Sequence, residues 1–122
     1  MRRRALLSAA SGIAAASLAG CVATSSAEYD LTVRDWQEPD QRTFPVHPDS
    51  GATIRVELQD TQSHGAIIEI YRPDFWDGER VFRGNPPLEY TVEETGKHTV
   101  FVEPTGAPGG GTSYAWVRIY VE

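Results

Sequence analysis

The residues that could do chemistry in this chain are few and widely spaced. Three histidines, His47, His64 and His98, stand 17 and 34 residues apart, which matches no compact zinc motif, although imidazoles gathered by the fold could serve a transition metal. Asp74, Asp77 and Glu79 crowd one short segment. Hard cations such as calcium take oxygen ligands of this kind, but an acidic turn in a carboxylate-rich chain accounts for them as well. Ser63 and His64 are adjacent, yet neighbours on a strand point to opposite faces, and no Gly-x-Ser-x-Gly elbow is present. Nucleophilic catalysis needs a nucleophile, a base and an orienting group close together. The expectation is therefore a non-enzyme without a cofactor.

Aromatic side chains carry the stronger signal. Phe75-Trp76 lies between Asp74 and Asp77 in a loop, and Tyr114, Trp116 and Tyr120 alternate with apolar residues near the C-terminus. If Val117, Ile119 and Val121 face the core, those three aromatics face out. An exposed aromatic row stacks on sugar rings or anchors a protein partner. The competing reading folds Phe75-Trp76 back as a lid over one open end of the domain, or buries the last strand on both faces.

The elements that would position these residues repeat with a period of two. Ile54, Val56 and Leu58 alternate with Arg55, Glu57 and Gln59 in the segment Ala52 to Asp60, the pattern of a strand with one face buried and one in water. Gly65 to Arg72, Leu88 to Glu93, Lys97 to Glu103 and Ser113 to Glu122 behave likewise. Tyr29 to Trp36, Arg42 to His47 and Arg80 to Arg83 are shorter candidates. Between them fall residues that pre-set φ or tolerate positive φ: Pro48 to Gly51, Asp77-Gly78, Gly84 to Pro87, Glu94 to Gly96, and Pro104 to Gly111. No segment carries a helical stripe. Seven to eight short strands with such turns predict an all-β, antiparallel, jelly-roll-like sandwich over residues 29–122.

Pro48-x-x-Gly51 before Ala52 to Val56, Arg72-Pro73-Asp74 closing a later strand, Glu94-Thr95-Gly96-Lys97-His98-Thr99-Val100-Phe101-Val102, and a last strand after a Gly-rich loop form an ordered set. Over Thr43 to Glu122 this set resembles the small sandwiches of the bacterial pre-peptidase C-terminal and GOLD-like type. The chain departs from that pattern at His98, where a tyrosine is usual, and at Phe75-Trp76-Asp77, which lengthens a tight turn. The resemblance implies an accessory, binding or adhesion module. Fold analogy alone does not fix function.

The N-terminus reads as an address. Arg2-Arg3-Arg4, the apolar run Ala5 to Ala19 and a small-residue exit form the three parts of an export signal over residues 1–20. The run is fifteen residues, short of the roughly 20 that span a bilayer. Arg3-Arg4-Ala5-Leu6-Leu7 resembles a twin-arginine export motif, although paired arginines also occur in general secretory signals. Leu18-Ala19-Gly20-Cys21 resembles the lipobox of prokaryotic lipoproteins, which makes Cys21 the lipid-bearing N-terminus after cleavage. The alternative is ordinary cleavage at Ser25-Ser26-Ala27. Cys21 is the single cysteine, so no disulfide within the chain is available. Residues 21–28 then form a flexible tether, and two acyl chains would hold the domain on a membrane.

Removing Arg2, Arg3 and Arg4 leaves eight basic residues against 17 acidic ones, a net charge of −9. Nucleic acid is disfavoured as a partner, because phosphate binding needs a basic stripe. Lys97 is the single lysine of that remainder. Acidic excess with scarce lysine resembles haloarchaeal proteins, in which salt screens self-repulsion; an acidic protein of an ordinary high-GC bacterium is the alternative. Together these readings predict a lipid-anchored, non-catalytic binding module on the outer face of the cell membrane, with an envelope protein or a glycan as partner. The rivals are a calcium- or transition-metal-binding envelope protein and a structural subunit of an envelope complex.

Overall fold

The computed structural model describes residues 26–59, 65–106 and 112–122. Arg3, Arg4, Cys21, most of the tether and Ser63-His64 lie outside the described residues. Eight strands appear in chain order: β1 (Tyr29–Arg34), β2 (Thr43–Val46), β3 (Thr53–Leu58), β4 (Ala66–Arg72), β5 (Glu79–Gly84), β6 (Leu88–Thr91), β7 (His98–Pro104) and β8 (Tyr114–Val121). A short 3-10 turn at Pro39–Arg42, of which the sequence reading placed only Arg42 in an element, the strand Arg42 to His47, links β1 to β2. Glu38 and Gln41 close it with a reciprocal capping box.

The strands form two four-stranded antiparallel sheets, ordered β1-β8-β3-β6 and β2-β7-β4-β5. Strands 1 and 8, 2 and 7, 3 and 6, and 4 and 5 pair antiparallel. The chain is thus one long ribbon folded at the β4–β5 turn and wound on itself, which is the jelly-roll topology expected from the sequence.

Alternation decides which residues enter the core. Ile54 and Val56 of β3 lie opposite Val121 and Ile119 of β8, while Ile68 and Ile70 of β4 lie opposite Val102 and Val100 of β7. All of these but the partly buried Val121, with Val33, Val46, Val92 and Val117, form the solvent-free centre. Valine and isoleucine suit it because their branched Cβ packs well on a pleated surface. His98, which stands where the resemblance puts a tyrosine, is 1% exposed. Its Nδ1 lies 2.9 Å from the Gly96 carbonyl, which can only accept a bond, and its Nε2 stays without a partner among the described residues.

Candidate functional site

Residues on the far side of each strand from the core define two outer faces. On the β2-β7-β4-β5 face, Val100 and Val102 point inward, so Phe101 points outward, yet it is only 7% exposed. The β4–β5 loop covers it. Phe75 stacks on Phe101 with ring centroids 4.6 Å apart and an interplanar angle of 21°. Tyr71 meets Phe75 edge-on at 5.0 Å, and the Arg42 guanidinium sits 5.0 Å from the Phe101 ring. Trp76 stands edge-on to Phe75 at 4.8 Å and remains 67% exposed. Among the described residues nothing accepts a bond from its indole N–H.

The loop that carries Trp76 is fastened at both ends. Thr99 Oγ1 donates to the Pro73 carbonyl at 2.9 Å, Lys97 pairs with Asp74 at 2.6 Å, and Arg72 pairs with Glu79 at 3.0 Å. Gly78 closes the turn by donating its N–H to the Asp74 carbonyl at 2.6 Å. A Cβ at Gly78 would lie 2.3 Å from that oxygen, so the turn admits only glycine. Beside Trp76 runs a shallow groove of about 160 Å³ floored by Thr43, Pro45 and Thr99. The loop presents a large aromatic ring on a backbone that is fastened on both sides of it.

Behind Tyr71 the same face holds a compact charge cluster. Tyr71 donates to Glu69 at 2.6 Å, and Arg80 and Arg83 reach the same carboxylate at 3.0 and 3.1 Å. Burial pushes the Glu69 carboxyl up, but the bonds from Tyr71, Arg80 and Arg83 outweigh it and hold the group below its ordinary value. Burial and the Glu69 charge together raise the Tyr71 phenol.

The β1-β8-β3-β6 face is built differently. Trp116 donates its indole N–H to Asp30 at 2.6 Å, and Arg118 binds the second oxygen of that carboxylate at 3.0 Å. The Trp116 bond is the main reason the Asp30 carboxyl sits below its ordinary value, with Arg118 adding to it. Tyr120 lies under the Arg55 guanidinium, 3.9 Å from its ring centroid. Arg55 is itself held by Glu57 and by Glu122 at 2.7 Å. Tyr114 is half-buried, with Arg34 at 6.0 Å.

The five aromatic residues expected to form one patch therefore divide between opposite sides of the sandwich. Phe75 and Trp76 share the β2-β7-β4-β5 face; Tyr114, Trp116 and Tyr120 share the other. The alternation correctly put the last three outward, but Tyr120 is 9% exposed because Arg55 covers it. Phe75 folds back onto the outer face of its own sheet, not over an open end of the sandwich. Tyr71, Phe101 and Arg42 complete the Trp76 platform and were not foreseen, although the alternation His98, Val100, Val102 against Thr99, Phe101, Glu103 already turned Phe101 outward.

The acidic loop does not gather as a cation site. Asp74 is taken by Lys97 and Glu79 by Arg72. Among the described residues no three His, Cys, Asp or Glu side chains converge. His47 is exposed while His98 is buried, so these two do not meet. A second cleft, about 330 Å³, opens beside Arg72, Glu94 and Lys97 at one end of the sandwich. Its cations are already paired with carboxylates of the chain.

No protein-family model matches the chain, and no curated protein matches it either. Among solved structures, the fold is similar to PliG of Aeromonas hydrophila, a periplasmic lysozyme inhibitor of g-type lysozyme. The TM-score is 0.56 at 14% identity, covering 82% of this chain and 89% of that one. PliG of Salmonella Typhimurium, with the same description, aligns at a TM-score of 0.49 and 19% identity over 77% of this chain and 88% of its own. At such identity the first likeness is one of fold alone.

Proposed function

We propose that the chain is a non-catalytic, extracytoplasmic protein-binding module, held at a membrane through a lipid on Cys21, and that it engages its partner with Trp76. One observation carries this reading: Trp76 is 67% exposed on a loop fastened by Lys97, Arg72 and Thr99 above a stacked Phe75–Phe101 base. Interface hot spots are enriched in tryptophan, and a pre-ordered anchor loses little entropy on binding. The export signal and the Leu18-Ala19-Gly20-Cys21 sequence support the location.

The test is differential capture. The intact chain, Trp76→Ala and Trp116→Ala are each cross-linked in isolated membranes and their partners identified. The reading expects a partner retained by Trp116→Ala and lost by Trp76→Ala. Equal retention by all three forms overturns it. Membrane fractionation of Cys21→Ser tests the anchor separately, since that form should become soluble.

A second reading comes from the fold shared with the Aeromonas protein, whose description names a g-type lysozyme as what it inhibits. In this reading the partner is a cell-wall glycosidase and the module shields the envelope from it. Lysis of cell-wall suspensions by a g-type lysozyme should then slow when the chain is added, and recover with Trp76→Ala. Unchanged lysis at a large molar excess of the chain removes the glycosidase reading while leaving the first one standing.

A further inference from the structure

The two outer faces balance their charges in opposite proportions. On the β1-β8-β3-β6 face one guanidinium, Arg55, is held by two carboxylates, Glu57 and Glu122. On the β2-β7-β4-β5 face two guanidinium groups, Arg80 and Arg83, are held by one carboxylate, both on Oε2 of Glu69 at 3.0 and 3.1 Å. The first cluster has a negative charge left over. The second has a positive one, although residues 21–122 together carry −9.

The backbone of β5 builds this pair. Glu69 lies opposite Arg83 and Tyr71 opposite Arg80, so the register shift leaves Val81 as an extra residue. On a regular strand, residues three apart point to opposite faces. The bulge turns both arginines outward, while Val81 and Phe82 both pack toward the core. Glu69, with its side chain 13% exposed, then fixes two guanidinium groups that are 50% and 52% exposed. A guanidinium has five N–H donors, and each of these uses one on Glu69. Among the described residues no second carboxylate comes within ion-pair distance of either arginine. Asp77 at the loop tip and Glu103 on β7 are exposed and stay outside that reach. Charged residues on an edge strand also guard it against pairing with another chain. Such a guard needs only exposed charge, not two arginines drawn onto one mostly buried carboxylate.

We propose that Arg80 and Arg83 form a carboxylate-binding subsite on the surface that Trp76 anchors: the partner protein sets an Asp or Glu side chain against the two guanidinium groups while Trp76 enters a pocket of its own. Trp76, Phe75, Tyr71, Glu69 and Arg83 form a continuous row, with successive contacts at 4.8, 5.0, 2.6 and 3.1 Å. Both ends of that row fit within a standard interface patch of about 800 Å² per partner. Tryptophan and arginine are the residues in which hot spots are enriched, and a guanidinium matches a carboxylate through parallel N–H bonds. The place of the pair in the partner interface rests on the reading of Trp76 as the anchor; its affinity for a carboxylate does not.

Two measurements test the two parts separately. In the first, glutarate is titrated into the full-length chain with Cys21→Ser, and the arginine Nε–H signals are followed by NMR, with glutaramide as the neutral control and sodium chloride at matched ionic strength as the ionic one. The signals of Arg80 and Arg83 should move together and saturate, with half-saturation at roughly millimolar glutarate. Arg55, which already holds two carboxylates, should not move. Arg80→Gln and Arg83→Gln assign the signals and keep an N–H for Glu69, and each should weaken glutarate binding about fivefold. Equal movement of all arginine signals, or the same movement with sodium chloride, overturns the subsite. The second measurement repeats the membrane capture with the double variant Arg80→Gln, Arg83→Gln and with Arg118→Gln on the other face. Capture should fall about tenfold with the double variant and stay unchanged with Arg118→Gln. Loss with Trp76→Ala but full retention by the double variant overturns the part played by the arginines and leaves the Trp76 reading standing. Loss with the double variant but retention by Trp76→Ala does the reverse.

Discussion

The two outer faces of the sandwich each present a tryptophan and treat it in opposite ways. On the β1-β8-β3-β6 face, Trp116 and Arg118 share Asp30, and Arg55 lies between Tyr120 and two carboxylates. The hydrogen bonds and charges of those side chains are satisfied inside the chain. On the β2-β7-β4-β5 face, Trp76 rests on hydrocarbon alone, through Phe75 and Phe101. An aromatic side chain on a strand becomes part of a surface network through its cross-strand neighbours. One on a fastened loop above an apolar base is left available to something else. Exposure by itself does not separate the two cases; what the polar atom of the ring is bonded to does.

The sharpest way to break this contrast is to remove the base of the platform. Phe101→Ala leaves a void under Phe75 on a face that has no second layer of protein to collapse into it, and truncating a buried phenylalanine costs about 3 kcal/mol or more. Thermal or urea unfolding should show a loss of this size, and the Trp76 loop should become more susceptible to proteolysis. An equally large loss from Trp116→Ala would mean that the two faces do not differ in the way their contacts suggest. Trp76→Ala is expected to do the reverse of Phe101→Ala. Stability should stay within about 0.5 kcal/mol, as for other surface substitutions, while partner capture falls by the roughly 2 kcal/mol or more typical of a hot spot.

Why the core was legible in the sequence and the platform was not follows from how each is encoded. Ile54, Val56, Ile68, Ile70, Val100, Val102, Val117 and Ile119 announce themselves by a period of two, because each strand buries one face and wets the other. The turns at Pro48 to Gly51 and at Gly96 are marked by residues chosen for their φ. These local signals placed all eight strands within a few residues and gave the sandwich. The platform depends on contacts between Phe75, Phe101 and Arg42, which are remote in sequence, and on a loop folding back over its own sheet. Its loop is fixed by Lys97 to Asp74, Thr99 to Pro73 and the close approach at Gly78, none of which has a periodic signature. The same reasoning explains why one aromatic patch was expected and two faces were found. Alternation within β8 orients Trp116 correctly, but nothing local says that the β4–β5 loop lies on the opposite sheet. The burial of His98 has no local signature either, since it depends on the fold that brings the ring inside and on the Gly96 carbonyl that meets its Nδ1.

Acid offers a comparison between the charge clusters of the two faces. Both Glu69 and Asp30 are held below their ordinary values, so each contributes stability that is present above its unfolded pKa, about 4.3 and 3.9, and is lost as the pH falls through the folded value. From pH 7 to about 5 neither carboxylate should change the melting temperature. Below about pH 4 the wild type should lose stability progressively. Glu69→Gln should lower the melting temperature at pH 7, where Arg80 and Arg83 lose their shared anion, and flatten the acid limb. Asp30→Asn should flatten it less, because Asp30 lies at an open strand edge with water on one side whereas the Glu69 side chain is 13% exposed. Identical acid profiles for the two variants would contradict that ordering.

The smallest expected effect is also the most discriminating. Trp116→Phe keeps an aromatic ring on its face but removes the N–H that Asp30 accepts, together with the fused five-membered ring that carries it. Asp30 still holds Arg118, water can replace the lost donor, and a six-membered aromatic ring remains over β8. The melting temperature should shift by about 3 °C or less, and capture of a partner should not change. Trp76→Phe alters the same chemical group where nothing in the chain uses it. Stability should again be unaffected, but a partner that accepts the indole N–H would be lost, and one that packs only on the ring would be kept. The two substitutions are chemically identical, so any difference between them reads out the surroundings of each tryptophan and not the residue itself. If both leave capture unchanged while Trp76→Ala abolishes it, Trp76 anchors through its ring and its hydrogen bond is dispensable.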